Sequence, residues 1–136
     1  MIRWLLLLFL LVGCTPQRPL EDRSPAGSSS LTKAQAVAIA SAQGPWTYVT
    51  PTGSMAPSID SGCVLMLEVY TGQKLHKGDI LLHQPEGFDG TICHRAIEIG
   101  ENAVYISGDN NTWPDGWIQK STLKYRVVGI LFTQRS

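Results

Sequence analysis

Glycine and proline divide this chain into short segments, and their spacing constrains the fold more than any other feature. The sequence of 136 residues contains 13 glycines and 8 prolines. From residue 46 onward, runs rich in β-branched and aromatic residues alternate with clusters of Gly, Pro, Asp and Asn, which favour turns. Segments of this length fit a helical bundle poorly. The pattern predicts a compact, mainly β domain that is mostly antiparallel and has one short N-terminal helix.

The predicted elements are one helix and six strands. Either Ser30 or Thr32 is a suitable N-cap for a helix over 33–43, which Gly44 and Pro45 would end. The apolar positions of this helix are small, so we expect it to pack at the edge of the domain. Strands are predicted at 46–49, 64–69, 80–83, 92–99, 104–107 and 126–132.

Length and charge exclude several classes of protein. A chain of 136 residues is long enough for one small domain with a modest core. Eleven Lys and Arg residues balance eleven Asp and Glu residues, so the charge does not indicate nucleic acid as a partner. No cluster of His, Cys and carboxylates has metal-ligand spacing, and there is no phosphate-binding loop. We therefore expect neither a metal nor a cofactor.

The N-terminus has the pattern of an export signal. A short positive segment at 1–3 precedes the unbroken apolar run 4–12. Such a run rises only about 13 Å as a helix, whereas the hydrocarbon core of a bilayer is about 30 Å thick. The run ends in Leu-Val-Gly-Cys at 11–14, which resembles the lipobox of bacterial lipoproteins. The resemblance implies cleavage before Cys14 and acylation of Cys14. The alternative is an ordinary cleaved signal peptide in which Cys14 is incidental.

These features divide the chain into three parts. Residues 1–13 form the lipoprotein signal peptide, residues 14–30 a flexible tether rich in Pro, Ser, Gly and charge, and residues 31–136 the folded domain. Two or three acyl chains would anchor the protein stably in a membrane, facing the periplasm or the cell exterior. Thr15 stands where an aspartate would resemble an inner-membrane retention signal, which slightly favours the outer membrane.

Ser54, His94, Asp109 and Asp115 are the residue types of an acyl-transfer site. Ser54 lies in a turn bounded by Gly and Pro, and His94 lies inside an apolar run. A serine hydroxyl is a weak nucleophile that needs a neighbouring base, and the base needs an acceptor that orients it. Alone, each residue would more often be structural: a turn serine, a satisfied histidine or an Asx-rich turn. Their combination favours catalysis.

Four motifs in the same order resemble those of the type I signal peptidase family, whose superfamily also holds the LexA-like self-cleaving proteases. The motifs are Thr-Gly-Ser-Met-Ala-Pro at 52–57, Lys-Gly-Asp-Ile-Leu-Leu at 77–82, Cys-His-Arg-Ala-Ile at 93–97, and the segment 108–115 that begins Gly-Asp-Asn-Asn. The resemblance extends over roughly residues 49–131. It implies the antiparallel β fold of that superfamily and a serine endopeptidase that cleaves extended segments at small residues.

The base position places the resemblance within a subtype. Bacterial housekeeping signal peptidases carry lysine there, whereas His94 is similar to the endoplasmic-reticulum and archaeal type. Histidine, with an ordinary pKa of about 6.5, accepts a serine proton at neutral pH without the strong desolvation that a lysine base needs. The resemblance implies Ser54 as nucleophile and His94 as general base, with either Asp109 or Asp115 orienting His94 and the other holding the loop. It also implies the Ser54 amide and the Thr52 hydroxyl as oxyanion-hole donors.

Cys63 and Cys93 depart from the family pattern. Exported cysteines meet an oxidising compartment. A disulfide between Cys63 and Cys93 would close a loop of about 30 residues and stabilise the fold by about 3–4 kcal/mol in the chain-entropy model. The alternative is two buried free thiols that act as small hydrophobic side chains.

The sequence therefore predicts a membrane-anchored serine endopeptidase with a protein or peptide substrate. An outer-membrane lipoprotein would not meet preproteins as they emerge at the inner membrane, so a specialised processing protease is favoured over the housekeeping enzyme. One alternative is a catalytically silent lipoprotein that keeps the fold to bind extended peptides or the cell envelope. Another is a self-cleaving regulator of the LexA type, which the lipobox and the absence of a DNA-binding segment disfavour.

Overall fold

The short runs of the sequence form seven antiparallel strands and one helix. Residues 31–134 are described by a computed structural model of the chain. The helix is α1 (Lys33–Gln43), and the strands are β1 (Trp46–Tyr48), β2 (Val64–Val69), β3 (Ile80–His83), β4 (Ile92–Ile99), β5 (Ala103–Ser107), β6 (Gly116–Gln119) and β7 (Leu123–Leu131). The predicted mainly β, antiparallel fold with a single short helix is confirmed.

The predictions for the N-terminus fall outside the described residues. The first described residue is Leu31, so the predicted signal peptide at 1–13, the acylated Cys14 and the tether at 14–30 all precede it. Within the described range, no helix combines the length and the apolar character that crossing a bilayer requires.

Local capping fixes both ends of α1. The Thr32 hydroxyl accepts a hydrogen bond from the Gln35 amide at 3.2 Å, and the Gln35 side chain accepts one from the Thr32 amide at 2.9 Å. This reciprocal arrangement is a capping box, so Thr32 is the N-cap. At the other end Gly44 adopts a φ of +143°, which favours glycine, and its amide donates to the Ala40 carbonyl.

The C-terminal strand holds the sheet together. The strand order is β1-β2-β7-β3-β4-β5-β6, so β7 lies between β2 and β3 and joins the first hairpin to the remaining strands. The pairing register shifts between Met66 and Leu67 on β2 and between Leu82 and His83 on β3. Such irregularities increase local twist and change the direction of side chains. The chain ends of the described domain also meet, because Leu31 bridges Thr133.

Apolar side chains cover both faces of the sheet. Leu81 and Leu82 are both almost completely buried, but they belong to different clusters because successive strand residues point to opposite faces. A third cluster lies under the helix, where Ala36 and Ala40 pack against Val64. The larger clusters consist of Met55, Ile59, Cys63, Leu65, Leu67 and Leu82 on one side and Leu75, Leu81, Ala96, Val104, Ile106 and Leu123 on the other.

One strand was missed and three differ from the sequence prediction at their ends. Strand β6 was not predicted, because Gly116–Gln119 follows directly on a Pro- and Asp-containing turn. Strand β7 begins at Leu123, three positions before the predicted start, since pairing with β3 extends it through residues of mixed polarity, and it ends at Leu131 instead of residue 132. Strand β1 ends at Tyr48 instead of residue 49, and β5 begins at Ala103 instead of residue 104.

The contact between α1 and the sheet gives a stability prediction. Ala40 is fully buried against Val64, so Ala40→Leu forces extra methylene groups into a packed interface. We expect the free energy of unfolding to fall by about 1–3 kcal/mol. Ala38→Leu on the exposed face of the same helix is the matched control, and it should change the free energy by less than about 0.5 kcal/mol. Urea unfolding of both variants measures the difference, and equal effects would contradict the packing of this helix face.

Candidate active site

Ser54 lies in a tight turn within the connection between β1 and β2. The preceding Gly53 has a φ of +74°, in the left-handed region that favours glycine. The following Met55 is only 3% exposed and is part of a core cluster. Ser54 itself is half-buried. The sequence Gly-Ser-Met therefore places a hydroxyl at the surface, directly next to a side chain that fixes the turn to the core.

The turn is attached to the loop between β5 and β6. The Asn110 amide donates to the Ser54 carbonyl at 2.8 Å, and the Asn110 side chain donates to the Gly53 carbonyl at 3.2 Å. A Cβ atom at Gly108 would lie 2.7 Å from the Ser54 carbonyl oxygen, so this approach requires glycine. The loop that contains both predicted carboxylates therefore also holds the backbone of Ser54.

His94 and Asp115 are neighbours. His94 lies on β4 opposite Leu81 and is 6% exposed. Its Nδ1 atom is 2.8 Å from Asp115 Oδ2, although the two groups are not aligned for a hydrogen bond, and Nδ1 has no hydrogen-bond partner among the described residues. The separation of 2.8 Å places the carboxylate within reach of the imidazole. Asp115 is fixed by its own amide, which donates to the Ile106 carbonyl at 3.0 Å.

Asp109 binds Arg95 instead of His94. Arg95 Nε and Nη2 donate to the two carboxylate oxygens of Asp109, each at 2.7 Å, and Nη1 donates to the Gly78 carbonyl at 2.9 Å. The hydrogen bonds from Arg95 lower the pKa of Asp109, and those to Asp109 raise the pKa of Arg95. A bidentate pair of this kind is strong and directional. The structure thus places the two predicted carboxylates in different surroundings.

Ser54 and His94 line the same groove. The groove has a volume of about 600 Å³, and its walls come from residues 47–55 and 88–94. Thr52 also lines it, with its hydroxyl oxygen 3.4 Å from Ser54 Oγ. Within the described part of the chain, no Lys, Arg, Asp or Glu lines this groove. The cleft therefore combines hydroxyl and imidazole groups with walls that are largely apolar.

Cys63 and Cys93 are free thiols, so the predicted disulfide between them is absent. The alternative of two free thiols agrees with the structure, with Cys63 buried and Cys93 half-buried. Both sulfur-bearing side chains pack in the apolar cluster around Met55 and Leu82. Burial raises the pKa of the Cys93 thiol to about 11, which keeps it neutral. Cys93 lies in the groove wall next to His94, where it acts as a small apolar side chain.

His83 is a second buried histidine near the site. It is 6% exposed, and it lies two positions after Leu81, the residue opposite His94. His83 and His94 therefore occupy the same face of neighbouring strands. Burial lowers the pKa of His83, the charge of His94 lowers it further, and Asp115 opposes both. The strand register would have revealed this neighbour, but a single sequence does not give the register.

No metal site is formed among residues 31–134. Within that range, no group of three or more His, Cys, Asp and Glu side chains is placed to hold a metal ion. The groove brings together a hydroxyl and an imidazole, and a carboxylate lies beside the imidazole; these are the groups of general acid–base and nucleophilic chemistry.

The chain is similar in sequence to catalytic subunits of signal peptidase complexes. The signal peptidase complex catalytic subunits SEC11C of Homo sapiens, Mus musculus and Canis lupus familiaris are each 29% identical to the chain over 96 residues, which cover 61% of this chain and 50% of the relative. The chain thus spans about half the length of the curated relatives it matches. No family model matches the sequence, and no solved structure matches the chain. The chain is therefore similar, over part of its length, to catalytic subunits of signal peptidase complexes.

The Arg95–Asp109 pair gives a prediction about stability and pH. Asp109→Asn removes the charge from a bidentate pair whose Arg95 and Asp109 side chains are 28% and 14% exposed, so we expect the free energy of unfolding at neutral pH to fall by about 1 kcal/mol. The folded-state pKa of Asp109 lies below the value of about 3.9 for an unfolded aspartate, so this stabilisation is complete above about pH 4. It is lost as the pH falls through the folded-state pKa.

Urea unfolding of the parent and the variant at a series of pH values measures this effect. The difference between the two should shrink in acid. The exposed Asp89 provides a control, since Asp89→Asn should have little effect at any pH. A difference that stays constant down to about pH 2 would show that the loss does not come from the ionised carboxylate.

Proposed function

We propose that this chain is a membrane-anchored serine endopeptidase of the signal peptidase I type that cleaves extended segments at small residues. The observation that carries the proposal is the shared groove, which Ser54 and His94 both line while Asp115 lies 2.8 Å from the imidazole. The general similarity to signal peptidase catalytic subunits supports the same chemistry. The roles of the individual residues follow from their positions.

His94 is the general base. Because Asp115 lies against Nδ1, a proton on Nδ1 leaves Nε2 free to accept the proton of Ser54. Ser54 Oγ then attacks the carbonyl carbon of the scissile bond, and the imidazolium transfers its proton to the leaving amine. Water, deprotonated by the same imidazole, hydrolyses the acyl-enzyme and frees Ser54. Asp115 stabilises the imidazolium during both steps, because its negative charge lies next to the ring.

The oxyanion donors come from the turn itself. The Ser54 amide and the Thr52 hydroxyl are the two groups we assign to this role, and Thr52 Oγ1 lies 3.4 Å from Ser54 Oγ. A donor aimed at the developing charge is worth about 3 kcal/mol in the transition state. Asp109 does not act on the imidazole in this scheme. Through Arg95 it fixes the loop that supports the Ser54 turn.

An extended peptide fits the groove. The wall at residues 47–55 begins at the edge strand β1, to which a peptide could add as a further strand. Apolar side chains such as Met55 and Cys93 line the walls, so the subsites next to Ser54 suit small apolar side chains. This agrees with the preference for small residues that the family resemblance implies.

The membrane anchor is the acylated Cys14. Residues 14–30 would tether the domain, and the protein would face the periplasm or the cell exterior, with the outer membrane slightly favoured. In that location it would process a restricted set of proteins, not the general flow of preproteins at the inner membrane.

Substitution of the nucleophile and the base tests the proposal. Ser54→Ala and His94→Ala should each lower kcat for a cleaved peptide by at least about a thousandfold, because the two residues act as a unit. His76→Ala, on an exposed loop, should leave kcat unchanged. A fluorophosphonate should label the parent protein and not Ser54→Ala. Should the parent neither react nor cleave any peptide with small residues, a catalytically silent binding module of the same fold would be the better assignment.

The pH dependence of cleavage tests the identity of the base. If an imidazole is the base, activity should fall in acid, because an imidazolium cannot accept the proton of Ser54. The Arg95–Asp109 pair stays charged in mild acid, since the pKa of Asp109 is lowered, so the loss does not reflect a collapsing loop. Measurement of kcat/KM against pH records this loss. A profile that still rises steeply above about pH 8 would indicate a lysine base and contradict the assignment.

A further inference from the structure

A second cavity adjoins the groove. It also has a volume of about 600 Å³, and it shares Tyr48, Val49 and Ser61 with the wall of the first. Pro51 lines it as well, from the segment that leads to Ser54. The two cavities are therefore neighbours along one stretch of backbone, on the side of the groove that precedes the nucleophile in sequence.

The second cavity is charged and the first is not. Among the described residues that line the two cavities, Lys33 is the single Lys, Arg, Asp or Glu, and it belongs to the second cavity. The capped start of α1 fixes its backbone. A Cβ atom built on Gly62 would lie 3.9 Å from Lys33 Cε, so the stem of the lysine passes close to the Gly62 wall. Lys33 forms no ion pair with any described residue, so its charge is available to a ligand.

A bound peptide would reach this charge on one side of its scissile bond. Strand β1 is at the edge of the sheet and pairs only with β2 in the described structure. Tyr48 and Val49 line both cavities, and Pro51, in the turn that leads to Ser54, lines the second. A peptide that extends from Ser54 along this shared wall would therefore bring a side chain beyond those held in the groove to the second cavity, on one side of the scissile bond.

We propose that Lys33 and the second cavity form a subsite that selects substrates with an acidic side chain a few residues from the scissile bond, on one side only. This inference rests on the proposed function, because it assigns part of the substrate of the same groove. The neutral groove selects side chains near the cleaved bond by size, and Lys33 adds a selection by charge further along the peptide.

The expected effect is modest and depends on salt. An exposed pair between a lysine and a carboxylate changes affinity by about twofold to fivefold. The preference should therefore appear as a ratio of about two to five in kcat/KM at low ionic strength. It should vanish near 1 M salt, where the Debye length is about 3 Å.

A peptide series tests the charge selection. The full-length protein in detergent is given peptides with small residues at the cleavage site and one Asp moved through six positions on either side. Matched series carry Asn or Lys in place of Asp. The parent should prefer Asp over Asn over Lys at one or two positions on a single side. Lys33→Met should abolish the preference, and Lys33→Glu should reverse it.

A matched variant separates a local effect from net charge. Lys124→Glu changes the net charge by the same amount, but Lys124 is exposed on β7 and lines neither cavity. It should keep the preference of the parent. If the parent, Lys33→Glu and Lys124→Glu all show the same preference for Asp over Lys peptides, the proposed subsite is overturned. The peptidase assignment would remain intact.

A binding experiment distinguishes this failure from the failure of the proposed function. Fluorescence anisotropy with the Ser54→Ala variant measures the affinity for the Asp and Lys peptides without cleavage, alone and combined with Lys33→Glu. If the Asp peptides bind more tightly than the Lys peptides, and Lys33→Glu reverses this order, the subsite is supported. That conclusion would hold even if the parent cleaved no peptide, in which case only the peptidase assignment would fail. Equal affinities for the Asp and Lys peptides would overturn the subsite regardless of activity.

Discussion

The close backbone approach between the Ser54 turn and the loop at 108–111 is the contact on which the candidate site depends. The turn belongs to a connection outside the strands, so it needs an external support to hold its hydroxyl in place. Gly108 permits the approach because no Cβ stands between it and the Ser54 carbonyl, and Asn110 secures it with two hydrogen bonds. The same loop leads to Asp115. One segment thus supports the turn of the nucleophile and supplies the carboxylate beside the imidazole.

The alternation of side chains along β4 explains why the two aspartates differ. His94 and Arg95 are consecutive residues of one strand, so their side chains point to opposite faces. Asp109 meets the guanidinium on one face, and Asp115 meets the imidazole on the other. Two carboxylates from a single loop are therefore divided between a bidentate ion pair and a histidine contact. The first keeps its charge even in mild acid, which the lowered pKa of Asp109 reflects.

The sequence was informative where local chemistry determines structure. The helix over 33–43 matches α1, because the capping residues and Gly44 act within a few positions of its ends, and three strands match to the residue. What could not be predicted depends on register and on distant contacts. Three features follow from which strands pair, and at which positions. They are the pairing of Asp109 with Arg95, the place of His83 beside His94, and the absence of a bond between Cys63 and Cys93. Strand β6 was missed because Pro114, Asp115 and Gly116 at its start have the pattern of a turn.

The length of β1 has a consequence for how the protein behaves in a crowded compartment. An unpaired strand edge is a template on which other chains can stack and grow into fibrils. Here the regular part of that edge is limited to Trp46–Tyr48, and Pro51 interrupts the backbone shortly beyond it. A strand of three residues can form a few backbone hydrogen bonds with one bound peptide, but it is too short to serve as a template for stacking further chains. The edge at β1 can therefore bind a peptide while offering little surface for fibril growth.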